Sequence, residues 1–163
     1  MKQTLLSLFI AVSSIAVNAQ NTYVPDDNFE QALIDLGYAS GALDDYVPTA
    51  NINTIENINV ATKGISDLTG IEDFTALAYL TMYNNQVTNL DISNNISLVY
   101  LFAYGNQLSN IDVAANTNLN YLNVGNNQLT SLDVSNNTLL ETLHIPVNSI
   151  TTLLLLKPIT TTF

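Results

Sequence analysis

The chain is 163 residues long, enough for one domain or a short repeat array, and it has no cysteine, which excludes disulfide scaffolds, zinc ribbons and thiol chemistry. Fourteen acidic residues stand against 3 lysines and no arginine, a formal net charge of -11 that repels phosphate backbones and argues against nucleic acid as a partner. Hydrophobic residues make up 47% and charged residues 10%, unlike a disordered segment, and the polarity comes from 23 Asn and 18 Thr, a bias toward repeated turns.

Residues 1–19 read as a secretory signal peptide. Lys2 supplies a positive start, Leu5 to Val17 is an uncharged apolar run, and Val17-Asn18-Ala19 offers small residues for cleavage before Gln20. The run has 13 residues, short of the ~20 that a spanning helix needs, so no membrane span is expected. Cleavage would leave 144 residues (163 − 19) with a formal charge of −12 (2 lysines against 14 acids). The expected destination is the exterior or the cell surface.

Residues 20–54 read as an N-terminal cap. Asp27-Asn28-Phe29-Glu30 has capping-box spacing, with Asp27 as N-cap and Glu30 three residues on. Phe29, Leu33 and Leu36 follow at i, i+4 and i+7, and Gly37 is a stop. A short amphipathic helix here would cover the bare apolar end of whatever follows. The Asp26/Asp27 and Asp44/Asp45 pairs sit in no EF-hand frame, so capping and turns explain them better than a metal.

Residues 55–153 are repetitive. Units starting at Leu77, Leu98, Leu119 and Leu140 are 21 residues apart, and an earlier unit from Ile55 is spaced by 22. The shared frame is L-x-x-L-x-φ-x-x-N-x-φ, with φ apolar. It resembles the leucine-rich repeat over about five units. That resemblance implies an α/β right-handed solenoid with a parallel sheet on its concave face. The residues themselves point to short strands: Leu80, Leu101, Leu122 and Leu143 alternate with outward neighbours at a period of two.

Asn85, Asn106, Asn127 and Asn148 fall at the bend after each strand. A carboxamide both donates and accepts, so these four are expected to form a structural ladder that serves buried backbone groups. Asp91, Asp112 and Asp133 form a second column on the return side. A cation site is one reading of it. Turns in which each carboxylate accepts from nearby backbone explain it better, because calcium sites gather several oxygens in one loop. The units are too short for a full α-helix, so the return side is expected to be extended or 3₁₀-like. Residues 154–163 leave the frame, with Leu154 where Asp is expected, and read as an irregular tail, possibly truncated.

The outward positions beside the strand leucines carry Tyr79, Tyr83, Tyr100, Phe102, Tyr104 and Tyr121. Six aromatics in three adjacent units make a candidate binding face, since tyrosine offers apolar area and a hydroxyl at low entropy cost. Cross-strand stacking that merely stabilises the sheet is the competing explanation. No Ser-centred elbow, phosphate-cradling loop or histidine cluster is present, His144 is the lone histidine, and the acids avoid these strands, so no enzyme, metal or cofactor is expected. The sequons at Asn95 and Asn136 arise from the repeat consensus.

The LTSLDVSNNT style of repeat, preceded by VPDDNFEQALIDLG, resembles secreted leucine-rich-repeat proteins of Bacteroidetes-type bacteria, and DLTGIEDFTAL from Asp67 to Leu77 resembles internalin repeats. The resemblance implies an exported or surface interaction module. The expected partner is a protein, with a glycan as the alternative ligand. A non-binding spacer or a fragment of a larger adhesin is the alternative outside the binding class.

Overall fold

A computed structural model describes residues 20–162. The proposed signal peptide lies outside these residues.

The architecture is a parallel-sheet solenoid with a small cap. In the cap, β1 (Asn21–Tyr23) pairs antiparallel with β2 (Tyr46–Pro48), and α1 (Asp27–Asp35) packs beside them. A one-turn helix, α2 (Thr49–Ile52), leads into the repeats. Six strands then line up in parallel: β3 (Asn57–Asn59), β4 (Tyr79–Thr81), β5 (Tyr100–Phe102), β6 (Tyr121–Asn123), β8 (Thr142–His144) and β10 (Thr160–Thr162). On the return side β7 (Ser131–Asp133) pairs with β9 (Thr152–Leu154), and a 3₁₀ turn at Ile71–Asp73 occupies the first unit. The return side is otherwise turns and extended chain, too short for the helix that a longer repeat would hold.

Strand register follows the repeat. Tyr79 pairs with Tyr100, Tyr100 with Tyr121 and Tyr121 with Thr142, so equivalent residues sit side by side. Each strand turns its middle residue inward. Leu80, Leu101, Leu122 and Leu143 are fully buried, stacked over Leu77, Leu98, Leu119 and Leu140. Val87, Leu108 and Leu129 close each coil from beyond the bend. A single apolar column therefore runs the length of the array.

The helical cap starts one residue earlier than the sequence spacing suggests. Asp26, not Asp27, is the N-cap; one of its oxygens accepts from the Asn28 and Phe29 N–H groups, each at 3.0 Å. The other oxygen accepts from the Ser66 N–H and hydroxyl and from the Asp67 N–H. Two adjacent aspartates fit the local pattern equally, and the tertiary contact with the first repeat decides between them. Glu30 consequently closes no capping box. Its buried carboxylate reaches the opposite way and accepts from the Asp44 and Asp45 N–H groups, holding the loop before β2. Phe29 and Leu33 are buried against the repeats, whereas Leu36 is exposed at the helix end.

The tail also differs from expectation. Thr160, Thr161 and Thr162 pair in parallel with Thr142, Leu143 and His144, so the solenoid makes a further turn. The offset between paired strands shrinks from 21 residues to 18, from Thr142 to Thr160. Those three lost residues break the repeat frame while leaving the strand in place. Leu154 faces Asp133 across β7 and β9, and Leu154 and Leu156 are exposed.

Asp26 makes the junction between cap and array dependent on pH. Burial raises its carboxyl, but the Ser66 hydroxyl and the Ser66, Phe29 and Asp67 N–H groups outweigh that and hold it below the ordinary 3.8. A depressed carboxyl stabilises the fold above its unfolded-state value and loses that contribution as pH falls through its folded value. In urea melts, Asp26→Asn should therefore be less stable than the parent at pH 7. The gap should narrow as the pH drops below 3.8. A gap that is constant from pH 7 to pH 2 would show that the charge is not what matters.

Candidate functional site

Each coil bends sharply after its strand, which turns backbone carbonyls and N–H groups inward. The carboxamides of Asn85, Asn106, Asn127 and Asn148 take them up. The Asn106 amide donates to Met82 O of the preceding coil at 3.0 Å and to Ala103 O of its own at 3.1 Å, and its oxygen accepts from Val87 N–H at 3.2 Å. Asn127 repeats the pattern with the Ala103 and Val124 carbonyls and Leu108 N–H. Asn85 and Asn148 extend it to both sides, Asn85 accepting from Lys63 and Ile65 N–H and Asn148 from Leu129 N–H. An unpaired buried backbone group costs about 1–3 kcal/mol, so each rung is structurally expensive to remove.

A second ladder stands on the return side, and sequence reading missed it. Asn95, Asn116 and Asn137 are buried. The Asn116 amide donates to the Ile92 and Asn95 carbonyls, and the Asn137 amide to those of Val113 and Asn116. The signal was present as three asparagines at a spacing of 21, hidden because each sits among other polar turn residues. Full burial also removes the Asn95 sequon as an accessible acceptor. The Asp column alongside consists of turns: Asp91, Asp112 and Asp133 accept from the N–H groups of Ser93, Ala114 and Ser135. The Ser93 backbone N–H and hydroxyl hold Asp91 below the usual carboxylate range, and the Ser135 hydroxyl and N–H do the same for Asp133.

With coil spacing set in this way, the concave sheet presents its outward residues in columns. The Tyr100 and Tyr121 rings stack with centroids 4.4 Å apart and planes inclined by 9°. Tyr79 leans on Tyr100 at 6.3 Å, Phe102 meets Tyr100 edge-on at 6.5 Å, and Tyr83 lies 5.1 Å from Phe102. His144 continues the row, 5.5 Å from Tyr121. Five aromatics and one imidazole thus form a connected surface over β4, β5, β6 and β8. Tyr79 is 46% exposed, and the inner rings are half-buried because they cover one another. Burial pushes the Tyr100 hydroxyl above its ordinary 10.0, and the neighbouring Tyr121 hydroxyl adds to the shift.

Tyr104 stands apart from that cluster. It packs over Gly125, where an added Cβ would lie 3.1 Å from the Tyr104 ring and 2.9 Å from Pro146. In the column of Tyr83, Tyr104, Gly125 and Pro146, the Tyr104 ring and Pro146 therefore close over a buried glycine. Asn123 faces the same side and accepts from the Gly125 N–H at 3.1 Å. Among the described residues, no three His, Asp or Glu side chains gather to hold a metal. No helix among them is long and apolar enough to cross a membrane.

The residue after this column is left-handed in the coils of β3, β4, β5, β6 and β8. Thr62, Asn84, Gly105, Asn126 and Val147 have φ between +51° and +69°. Asn and Gly accept that conformation, and at Gly105 a Cβ would also run into the Asn84 carboxamide. Val147 does not accept it easily: it is β-branched, has φ +55°, and is 72% exposed. Val147→Asn should raise stability by about 1 kcal/mol, read as an upward shift in a denaturant midpoint, because little packing is lost and strain is relieved. An unchanged or lower midpoint would contradict the assigned backbone.

No protein-family model and no curated protein matches the sequence; comparison of folds does give matches. The chain is similar to the functional domain of InlJ from Listeria monocytogenes, which includes a cysteine ladder, at 28% identity and a TM-score of 0.65 over 83% of this chain and 38% of that one. It is similar to the internalin InlF of the same organism at 23% identity and a TM-score of 0.69, over 80% of this chain and 43% of that one. A leucine-rich-repeat protein of Leptospira interrogans follows at 22% identity and a TM-score of 0.52, over 67% of this chain and 33% of that one. The chain spans well under half the length of the two Listeria proteins. Its fold is that of a leucine-rich-repeat solenoid.

Proposed function

We propose that the chain is a secreted or cell-surface recognition module, without enzymatic activity, that binds a protein through its concave aromatic face. The observation that carries this reading is the ring-to-ring surface of Tyr79, Tyr83, Tyr100, Phe102 and Tyr121, laid across adjacent strands with Tyr79 open to solvent. A contiguous apolar patch of this kind marks an interaction surface in a soluble protein. Tyr104, packed over Gly125, borders this surface. The concave strands carry no acid and no nucleophile–base pair, so the surface suits binding rather than acid–base chemistry. Export rests on Lys2, the run from Leu5 to Val17 and Val17-Asn18-Ala19. The internalin-like fold of the solved neighbours supports an interaction role.

A glycan ligand is the second reading, favoured by the tyrosine rings, on which sugars also stack. Binding to a panel of purified extracellular proteins and to a glycan array separates the two. Tyr100→Ser combined with Phe102→Ser removes the centre of the surface. Central aromatics are worth about 2 kcal/mol or more each when truncated, so binding to a protein on the panel should be lost. Circular dichroism and a melting curve check the fold, which loses roughly 0.5–1.5 kcal/mol per ring pair. Retention of every partner by a folded double variant would place recognition elsewhere. Binding confined to the glycan array would favour the second reading, and no binding on either would favour a spacer.

A further inference from the structure

The two ends of the array are finished differently. At the first repeat the cap buries Phe29 and Leu33 against the core. At the other end nothing among the described residues covers the last coil. Ile150 and Leu153 are only partly buried there, although Val87, Leu108 and Leu129 at the first position and Leu90, Ile111 and Leu132 at the second are buried in the inner coils. Leu154, Leu155 and Leu156 are exposed. β10 is the outermost strand of the six-stranded sheet and β9 that of the return-side pair, so each presents a free edge at this end. β10 consists of three threonines, with neither the charge nor the proline that commonly guards such an edge.

Charge points to what covers this end. The chain carries 14 acids, yet none lies beyond Glu141. The column that holds Asp91, Asp112 and Asp133 holds Leu154 in the last coil, where β9 pairs with β7. Two copies of so acidic a chain repel each other over most of their surface, and the last coil is free of that repulsion. β10 is also complementary to itself. The Thr160 N–H donates to the Glu141 carbonyl and the Thr162 carbonyl accepts from the Ile145 N–H, both on the β8 side, so by alternation the N–H and carbonyl of Thr161 face outward. Turned antiparallel, two such strands pair at Thr161 with Thr161, and Thr160 of each stands opposite Thr162 of the other. A two-fold axis running from the concave to the return side does this and also brings the β9 leucines of the two copies together. The cap blocks the head-to-tail alternative that would build a filament.

We propose that the open end is a dimer interface, in which a second copy of this chain docks about a two-fold axis, β10 against β10, and covers Ile150, Leu153 and the exposed leucines. Such a dimer sets both concave sheets on the same side of the molecule. The interface does not depend on what those sheets bind.

Sedimentation of the purified protein over a range of concentrations should show a monomer–dimer equilibrium with no larger species. Leu154→Asp restores the residue that this column has in the inner coils, so the fold accommodates it, and it sets two carboxylates at the junction. Dimerisation should weaken about tenfold or more, with the circular dichroism spectrum unchanged. Tyr100→Ser with Phe102→Ser, away from the end, should leave the dimer constant within about twofold. Orientation is read with cysteines, since the chain has none of its own. An equimolar mixture of Thr160→Cys and Thr162→Cys chains should oxidise to a covalent dimer, because directly opposed residues come within disulfide reach, whereas either variant alone should not. A protein that is monomeric at every concentration would leave the end to another occupant, a further repeat or a different protein, and would overturn the proposal. A dimer that Leu154→Asp does not weaken, that the concave double variant abolishes, or that links as readily through one cysteine variant alone would overturn it as well.

Discussion

Everything in this molecule depends on satisfying the backbone where each coil turns inward. A bend that buries carbonyls and N–H groups is affordable only if something pairs with them. Asn85, Asn106, Asn127 and Asn148 do so by donating to two coils and accepting from one, which ties neighbouring coils together. Asn95, Asn116 and Asn137 tie the coils on the opposite side by donation alone, each amide reaching two carbonyls of the preceding coil while its buried oxygen has no protein partner. With both sides pinned, the leucine column between them packs as one core. The chain needs no disulfide, and it has no cysteine with which to form one.

The same constraint produces the surface. Because the ladders permit no slippage, identical repeat positions stack in register, and whatever stands beside the strand leucines becomes a column. Tyr79, Tyr100 and Tyr121 are such a column, and their ring contacts follow from the strand spacing. A column can also be varied residue by residue at no cost to the core. The change from Tyr104 to Gly125 lets Tyr104 and Pro146 close over the glycine while Leu101 and Leu122 stay fully buried beneath. The scaffold and the face it displays are thus largely independent.

Much of this was legible in the sequence because periodicity is a redundant signal: four starts at a spacing of 21 place the strands, the inward leucines and the bend asparagines together. What was not legible depended on contacts between distant residues. Asp26 and Asp27 are indistinguishable until Ser66 and Asp67 supply donors to one of them. Glu30 looks like a capping residue until the loop at Asp44 and Asp45 claims it. The strand at Thr160–Thr162 was hidden because a three-residue deletion removed the frame but not the pairing. For the aromatic face, the sequence placed the side chains on one surface, but not that Tyr83 would meet Phe102 while Tyr104 turned to Gly125.

Hydrogen exchange at the ladder tests the central claim most directly. The side-chain amide protons of Asn106 and Asn127, each held by buried carbonyls of two coils, should persist in deuterated water. They should exchange with the slow backbone amides of Val87 and Leu108, at a rate set by global unfolding rather than local opening. The side chain of Asn126, exposed at the next position, should exchange at once. Exchange of the Asn106 and Asn127 side chains as fast as that of Asn126 would mean that the ladder does not hold the coils together, and the account built on it would fail.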